Sequence, residues 1–355
     1  MLRKILLILI LFCFLNADFP NSKNRYVLIQ TGTLNLREKP KDGKVIGSLQ
    51  AGEIVTILED AKDDITWKKI KTKSGLVGFA SNEFLGYFPP EEIQKAKLIG
   101  VLGGAGDKTN KMGIRVLAAH FSGQWYGFDD SADFVYLLNL IAKGKKSLDI
   151  QYAAKKVNSF QTDTLGKYGC QEFRGLEGRV KTPVSDTFEK SYIATYNFSD
   201  SKLDYTIKED VSADITSNVL KEAISVFKKN KVTTKELENI TEKKIKMLSS
   251  GSGKSYLVAR YAIKNGFAER HYLSLVAELG KNNSLKFIHS KFETLEEERG
   301  NYGGSYHFSG IVDIDDTGVP ALLFFHIGFD SGIYELFKIG NDKIESVFMG
   351  GGDAC

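Results

Sequence analysis

The stretch from Leu34 to Leu85 reads LNLREKP at 34–40, KVIGSLQAGEIVTIL at 44–58 and ITWKKIKTKSGLVGFASNEFL at 65–85. It is a run of short apolar segments separated by turn residues. Val45, Ile46 and Leu49 lead to an Ala51-Gly52 corner, and Ile54–Leu58 is β-branched and apolar. An acidic, polar loop precedes Trp67–Thr72, Ser74-Gly75 is a tight-turn signal, and Leu76–Ala80 forms the next segment. Five strands this short and this close together predict a small barrel.

The same three segments, in this order and spacing, resemble a bacterial SH3-like domain. Members of that family open on LNLR-x-x-P, continue through VIG-x-L-x-x-G-x-x-V-x-V and close on W-x-K-V followed by G-x-x-G-[WY]-V. The resemblance spans about one sixth of the 355 residues. It implies a binding module of the kind found on exported proteins, several of them fused to cell-wall enzymes. The expected ligand is cell-wall peptide or a protein partner in the envelope. Asn35 and Arg37 stand in the matching opening, Trp67 in the matching tryptophan position, and Phe79 where Trp or Tyr is commoner. These four are the ligand-binding candidates. A second reading stays open: Trp67 and Phe79 fill the interior of the small barrel, and Arg37 braces the opening turn.

The first residues set the expected compartment. Met1–Lys4 carries two positive charges, Ile5–Leu15 is an unbroken apolar run, and Asn16-Ala17 precedes polar residues. That order is a secretory signal peptide over 1–17. The run is too short for a spanning helix, which needs about 20 residues. Phe12 stands before Cys13 where a lipidation signal wants a small residue. The expectation is an exported protein, periplasmic or extracellular, with no membrane span after cleavage. A net charge of +4, falling further once Arg3 and Lys4 are removed, gives no strong field for nucleic acid or anionic lipid.

Phe88-Pro89-Pro90-Glu91-Glu92 breaks the strand pattern and closes the barrel region, 26–88. The remainder, 97–355, reads as a larger β-rich (α+β) domain, so the fold class is mainly β. Strand-like alternation runs through 114–128, 134–142, 191–198, 273–279 and 321–339. Lys143-Gly144-Lys145 and Asp330-Ser331-Gly332 read as hairpin turns. A helical pair is expected within it. Val219, Leu220, Ala223, Ile224 and Phe227 share one face of a helix near 216–229. Thr233 and Glu236 form a capping-box pattern at the start of a second, near 234–248.

Several motifs suggest chemistry. Ser250–Ser255, SGSGKS, looks like the end of a phosphate-binding loop. The glycine that pattern needs five residues before Gly253 is Leu248, and a helix is expected ahead of the loop instead of a strand, so it reads as a flexible turn. Asp313, Asp315 and Thr317, with Gly318 for the bend, have the alternating oxygen ligands of a calcium loop. Together with Val319–Leu323 they resemble the D-x-D-G-D-G-x-P-E-L strand-turn unit of exported β-rich proteins. Thr317 and Ala321 replace two carboxylates of that unit, which implies a low-affinity calcium site or a solvated Asx-rich turn. No other cofactor is expected. The five histidines, 120, 271, 289, 307 and 326, form no zinc-protease pattern. Cys170 lacks the flanking residues of a cell-wall cysteine peptidase. With Cys355 it makes an even pair in an exported chain, and the expected disulfide would clamp a C-terminus loosened by Gly350-Gly351-Gly352. No paired-acid, metal or nucleophile constellation stands out. The sequence therefore reads as a non-catalytic binding protein. The alternative is an envelope hydrolase whose active site lies in the 97–355 region, with the barrel as its targeting module.

Overall fold

Alternating short segments become a seven-stranded sheet in the computed structural model. It describes residues 20, 22–62, 64–103, 110–129, 131–168, 173–184, 191–251, 253–265, 268–296, 301–302, 305–327 and 331–354. The expected signal peptide and both cysteines of the expected disulfide, Cys170 and Cys355, lie outside the described residues. The sheet comprises β1 (Asn24–Val27), β2 (Leu34–Arg37), β3 (Val45–Leu49), β4 (Ile54–Ala61), β5 (Asp64–Thr72), β6 (Val77–Ser81) and β7 (Leu85–Gly86). Its order is β3-β2-β6-β5-β4-β1-β7. The side chains that close it are aliphatic and small: Val27, Leu34, Leu36, Leu49, Val55, Ile70, Ala80 and Leu85. Trp67 and Phe79 are half-buried and lie outside that core. The interior-filling reading of these two aromatics is thereby corrected. Strand alternation explains it, because Ile70 faces in while Trp67 and Lys69 share the outer face.

A one-turn helix, α1 (Pro90–Ile93), follows β7 with proline at its first position. A second sheet comprises β8 (Lys97–Gly103), β9 (Lys111–Phe121), β10 (Gln124–Gly127), β11 (Ser147–Tyr152), β12 (Lys155–Tyr168), β13 (Phe173–Val180) and β14 (Ile193–Tyr196). Its order is β10-β9-β13-β12-β11-β14-β8, and β8 also pairs with β9, so six of the strands close into a ring. Residues 134–142, expected as a strand, instead belong to helix α2 (Ala132–Lys143). Phe134, Leu137, Leu138 and Ile141 recur at helical spacing. They pack with Ile114, Val116, Leu148, Ile150 and Phe160 of the ring in one core. Lys143-Gly144-Lys145 is accordingly a helix exit: the Gly144 N–H donates to the Leu140 carbonyl.

The third sheet runs β15-β16-β17-β18-β19-β20, from β15 (Tyr205–Lys208), β16 (Ile240–Ser250), β17 (Ser255–Asn265), β18 (Ala268–Leu279), β19 (Leu285–Glu296) and β20 (Asn301–Tyr302). The first expected helix is α3 (Ala213–Lys229). The second is corrected: the capping box forms with both of its bonds, but α4 covers only Thr234–Leu237 before β16 begins. Val219, Ala223 and Phe227 of α3 pack on Leu257, Ala259, Tyr261, Leu273 and Leu275 of the sheet. The sheet takes Ile240 and Ile245 into that cluster as strand residues. The SGSGKS segment is the β16–β17 turn, with a strand before it and not a helix; Gly253 adopts φ 86°.

The fourth sheet, β21 (Ser305–Val312), β22 (Ala321–Ile327), β23 (Ser331–Ile339) and β24 (Ile344–Ala354), is an antiparallel meander. It lies between the second and third sheets. Val312, Ala321, Leu323, Leu336 and Phe348 pack on Ile99, Val101 and Leu117 of the ring's outer face and on Trp125 of β10. Ile311, Leu322, Phe324 and Phe337 pack on Tyr256, Val258, Val276 and Ile288 of the third sheet. Two buried faces require the near-continuous apolar run Ala321–Phe325. Gly350-Gly351-Gly352 is not a loosened tail. It lies within β24, where a Cβ on Gly350 would come 2.3 Å from the Leu117 carbonyl oxygen and one on Gly127 1.9 Å from that of Met349. The glycines let two sheets approach backbone to backbone.

The barrel is fastened to this body. Leu28, Phe88 and Ile93 enter the α2 core. Asp133, fully buried in the first turn of α2, accepts the Tyr87 and Phe88 N–H groups at 3.0 Å. Burial pushes its carboxyl up to about 6, against those N–H bonds.

Candidate functional site

The outer face of the barrel carries an open groove of about 580 Å³ lined by Thr33, Leu34, Asn35, Arg37, Thr66, Trp67, Ser81, Glu83 and Phe84. Register explains the gathering. Arg37 of β2 lies opposite Phe79 of β6, and Trp67 of β5 lies opposite Ser81, so Arg37, Trp67 and Ser81 point to one side. Asn35, two residues before Arg37, is exposed at the rim. Three of the four candidates thus share one depression. Phe79 is on the same face beside Arg37 and Lys69 but does not line the groove.

Arg37 donates from Nη1 to the Gly43 carbonyl at 2.9 Å, so it does brace the opening turn, while its stem remains in the groove wall. Thr66 of the lining is held by Asp64. It accepts from the Thr66 hydroxyl at 2.6 Å and the Thr66 N–H at 3.0 Å and pairs with Lys41 at 2.9 Å. Those bonds, the Thr66 hydroxyl's first, hold its carboxyl down to about 2. Sequence reading missed Glu83 and Phe84, which reach the groove from the single 3₁₀ turn Asn82–Phe84 after β6. The Asn-Glu-Phe run after the last strand was the available signal. The result is an indole face beside one cation, one carboxylate, an amide and three hydroxyls. Groups of this kind can stack on or hydrogen-bond a ligand.

The Asp313 loop turns from β21 to β22. Asp313 is buried, and its oxygens accept from the Lys202 N–H at 2.9 Å, the Ser201 hydroxyl at 3.3 Å and the Asp316 N–H at 3.1 Å. Asp315 accepts from the Thr317 hydroxyl at 2.6 Å and pairs with Lys338. Burial alone would raise the Asp315 carboxyl; Lys338 and Thr317 outweigh it and hold it low. Asp316 (φ 57°) and Gly318 (φ 75°) make the bend. A cation here would compete with Lys338 for Asp315.

A polar cluster that no sequence spacing announces lies between the third and fourth sheets. Tyr306 donates to Glu335 at 2.9 Å and accepts from Lys291; Lys291 pairs with Glu293 at 3.4 Å, and Glu293 with His326 at 3.1 Å. The His326 ring stacks on Tyr306 at 4.5 Å. Burial, then Glu335, pushes the Tyr306 hydroxyl up. Burial would raise Glu293, but His326 and Lys291 hold it down. His289 and His307 nearby are pushed down to about 4 by burial first, then by Lys291 for one and Arg260 for the other. The five linked residues come from four strands, so only the fold brings them together. Among the described residues no group of three or more His, Cys, Asp or Glu is placed to hold a metal ion.

Searches of curated proteins and of solved structures returned no match. Residues 32–86 match the family model described as the bacterial SH3 domain. Such domains are cell-wall binding modules that occur in exported cell-envelope proteins. The chain carries a bacterial SH3 domain, and the barrel with the Trp67 groove is that domain.

Proposed function

We propose that this is an exported, non-catalytic binding protein whose barrel recognises cell-wall peptide, or an envelope protein presenting a similar segment, through the Trp67 groove. One observation carries the reading. Asn35, Arg37 and Trp67, chosen from the family signature, line a single open depression, and the tryptophan is not used to fill the core. No helix among the described residues is long and apolar enough to cross a membrane. Low-affinity calcium at Asp313, Asp315 and Thr317 belongs to the same proposal, as an accessory of the body and not of the groove.

The chain has two tryptophans, and Trp125 is buried in the body. A Trp125→Phe background therefore leaves Trp67 as the single tryptophan, whose emission can be excited apart from that of the tyrosines. The mature protein should sediment with purified peptidoglycan, and soluble peptidoglycan fragments should shift Trp67 emission. Sedimentation with no emission change would move recognition off the groove; neither signal would end the cell-wall reading.

The alternative, a hydrolase in the 97–355 region, has one observation of its own in the Lys291–Glu293–His326–Tyr306–Glu335 network. Tyr306 and Glu335 are buried, and each acid in the network already accepts from a neighbour. That arrangement favours a polar staple between sheets over a substrate site. Turnover of peptidoglycan fragments that disappears in Glu335→Gln would reverse this ranking.

A further inference from the structure

The barrel has an open end, and the body closes it. Side chains at every second position along a strand share a face. Arg25 is therefore on the inner face with the core residue Val27, Ile57 with Val55, and Lys68 with Ile70. Register agrees: Arg25 lies opposite Val55, Ile57 opposite Ile70, and Lys68 opposite Ala80. Each stands one step beyond the aliphatic core along its strand, and all three line a cavity of about 280 Å³ at the barrel's mouth. The facing wall is Tyr87, just after β7, with Asp129, Ser131 and Ala132 at the start of α2. Barrel and body together make the cavity, and such seams and barrel mouths are where small ligands commonly bind.

Three properties of the lining define what fits it. First, it has an apolar part: Ile57 and Leu85 from the barrel and Ala132 from α2. Second, two of its charges lack an opposite charge within the protein. Lys68 is already paired with Asp60, and Asp129 already accepts from the Ser131 N–H at 3.0 Å. Arg25 lies over the Tyr87 ring, 3.7 Å from its centroid, and donates to the Ser22 and Asn24 carbonyls. It has no carboxylate partner among the described residues, and Glu83 has neither hydrogen bond nor ion pair among them. Third, Ser131 at the N-cap of α2 does not cap the helix. Its hydroxyl is buried with no hydrogen-bond partner among the described residues. Buried polar atoms are rarely left in that state.

We propose that the barrel mouth is a binding site for a small zwitterion of the class of a free aliphatic α-amino acid. The ligand carboxylate pairs with Arg25, its ammonium with Glu83, and its side chain lies on Ile57, Leu85 and Ala132. A zwitterion answers both open charges, whereas a simple anion or cation answers one. Size points the same way, since pockets for drug-sized ligands begin at about 300 Å³. The site shares only Glu83 with the Trp67 groove and does not rest on the cell-wall reading.

The test is isothermal titration calorimetry of the full mature chain with leucine, which should bind saturably. N-acetyl-leucine lacks the ammonium and leucinamide lacks the carboxylate, so each should bind at least tenfold more weakly. Arg25→Gln and Glu83→Gln should each weaken leucine at least tenfold. Arg25 is half-buried and Glu83 exposed, so folding should be kept; the three probes in any case test the site on the unaltered protein. Three results would overturn the proposal: no saturable binding of leucine at millimolar concentration, equal binding of either blocked analogue, or leucine binding that survives both substitutions. Peptidoglycan sedimentation, run in parallel, reports on the Trp67 groove, so either site can fail without the other.

Discussion

The barrel and the central sheet of the body bury apolar surface in opposite ways. In the barrel each strand has one inner face, and eight aliphatic residues close the interior. Its large aromatic Trp67 and the side chains of Val45, Ile46, Leu76 and Val77 remain at the surface. The β21–β24 sheet has no free face: Leu323 and Leu336 face the ring, while Leu322 and Phe337 face the third sheet. One element leaves apolar groups at its surface, and the other uses them to hold layers together. Function is therefore sought on the barrel, and stability in the body.

The largest effect that can break this contrast is in the central sheet. Phe324→Ala removes a fully buried ring packed against Tyr306 and Phe337. It should cost about 3–5 kcal/mol in denaturant unfolding. A loss under 1 kcal/mol would mean that the sheet is not the core of the body.

Next comes the joint between the two regions. The Asp133 carboxyl titrates at about 6 in the fold against 3.8 as its ordinary value. The folded state holds that proton more tightly. The contribution to stability is thus fully present below about pH 4 and is lost as pH rises through 6. A shift of this size corresponds to about 3 kcal/mol. Asp133→Asn, always neutral and still able to accept from Tyr87 and Phe88, should flatten the pH dependence of stability between pH 4 and 7. Parallel curves for the two proteins would show that Asp133 does not titrate in that window. Smaller still is the cap of α4: Thr233→Ala removes the hydroxyl that accepts the Glu236 N–H, keeps the backbone N–H that donates to the Glu236 carboxylate, and should cost about 1 kcal/mol.

The smallest effect is expected at the Asp313 loop. A degenerate site in the range of about 10⁻⁴ to 10⁻³ M should raise the melting temperature only slightly in millimolar calcium, and chelator should reverse it. A submicromolar affinity would show that the loop binds calcium tightly without carboxylates at positions 317 and 321.

The same contrast explains what could be read before the fold was known. Barrel strands with one inner face keep their alternation and their turn residues, so the 34–85 segment was legible, as were Asn35, Arg37 and Trp67 in one groove. The body was legible only in part. Phe134–Ala142 passes for a strand because eight of the twelve α2 residues are buried inside the ring, which erases its polar face. Residues 240–248 pass for a helix because Ile240 and Ile245 belong to the apolar cluster under α3 and interrupt strict alternation. Gly350–Gly352 passes for a loose tail because nothing local shows that Leu117 lies against it. Glu83 and Phe84 were missed because a single 3₁₀ turn leaves no periodicity.

Trp67→Ala tests the central claim most directly when binding and stability are read on the same protein. If the barrel holds its tryptophan for a partner, affinity for peptidoglycan should fall at least tenfold while the unfolding midpoint hardly moves, since Trp67 lies outside the aliphatic core. Unchanged sedimentation, with a stability loss of about 3–5 kcal/mol as expected for a core aromatic, would contradict the account.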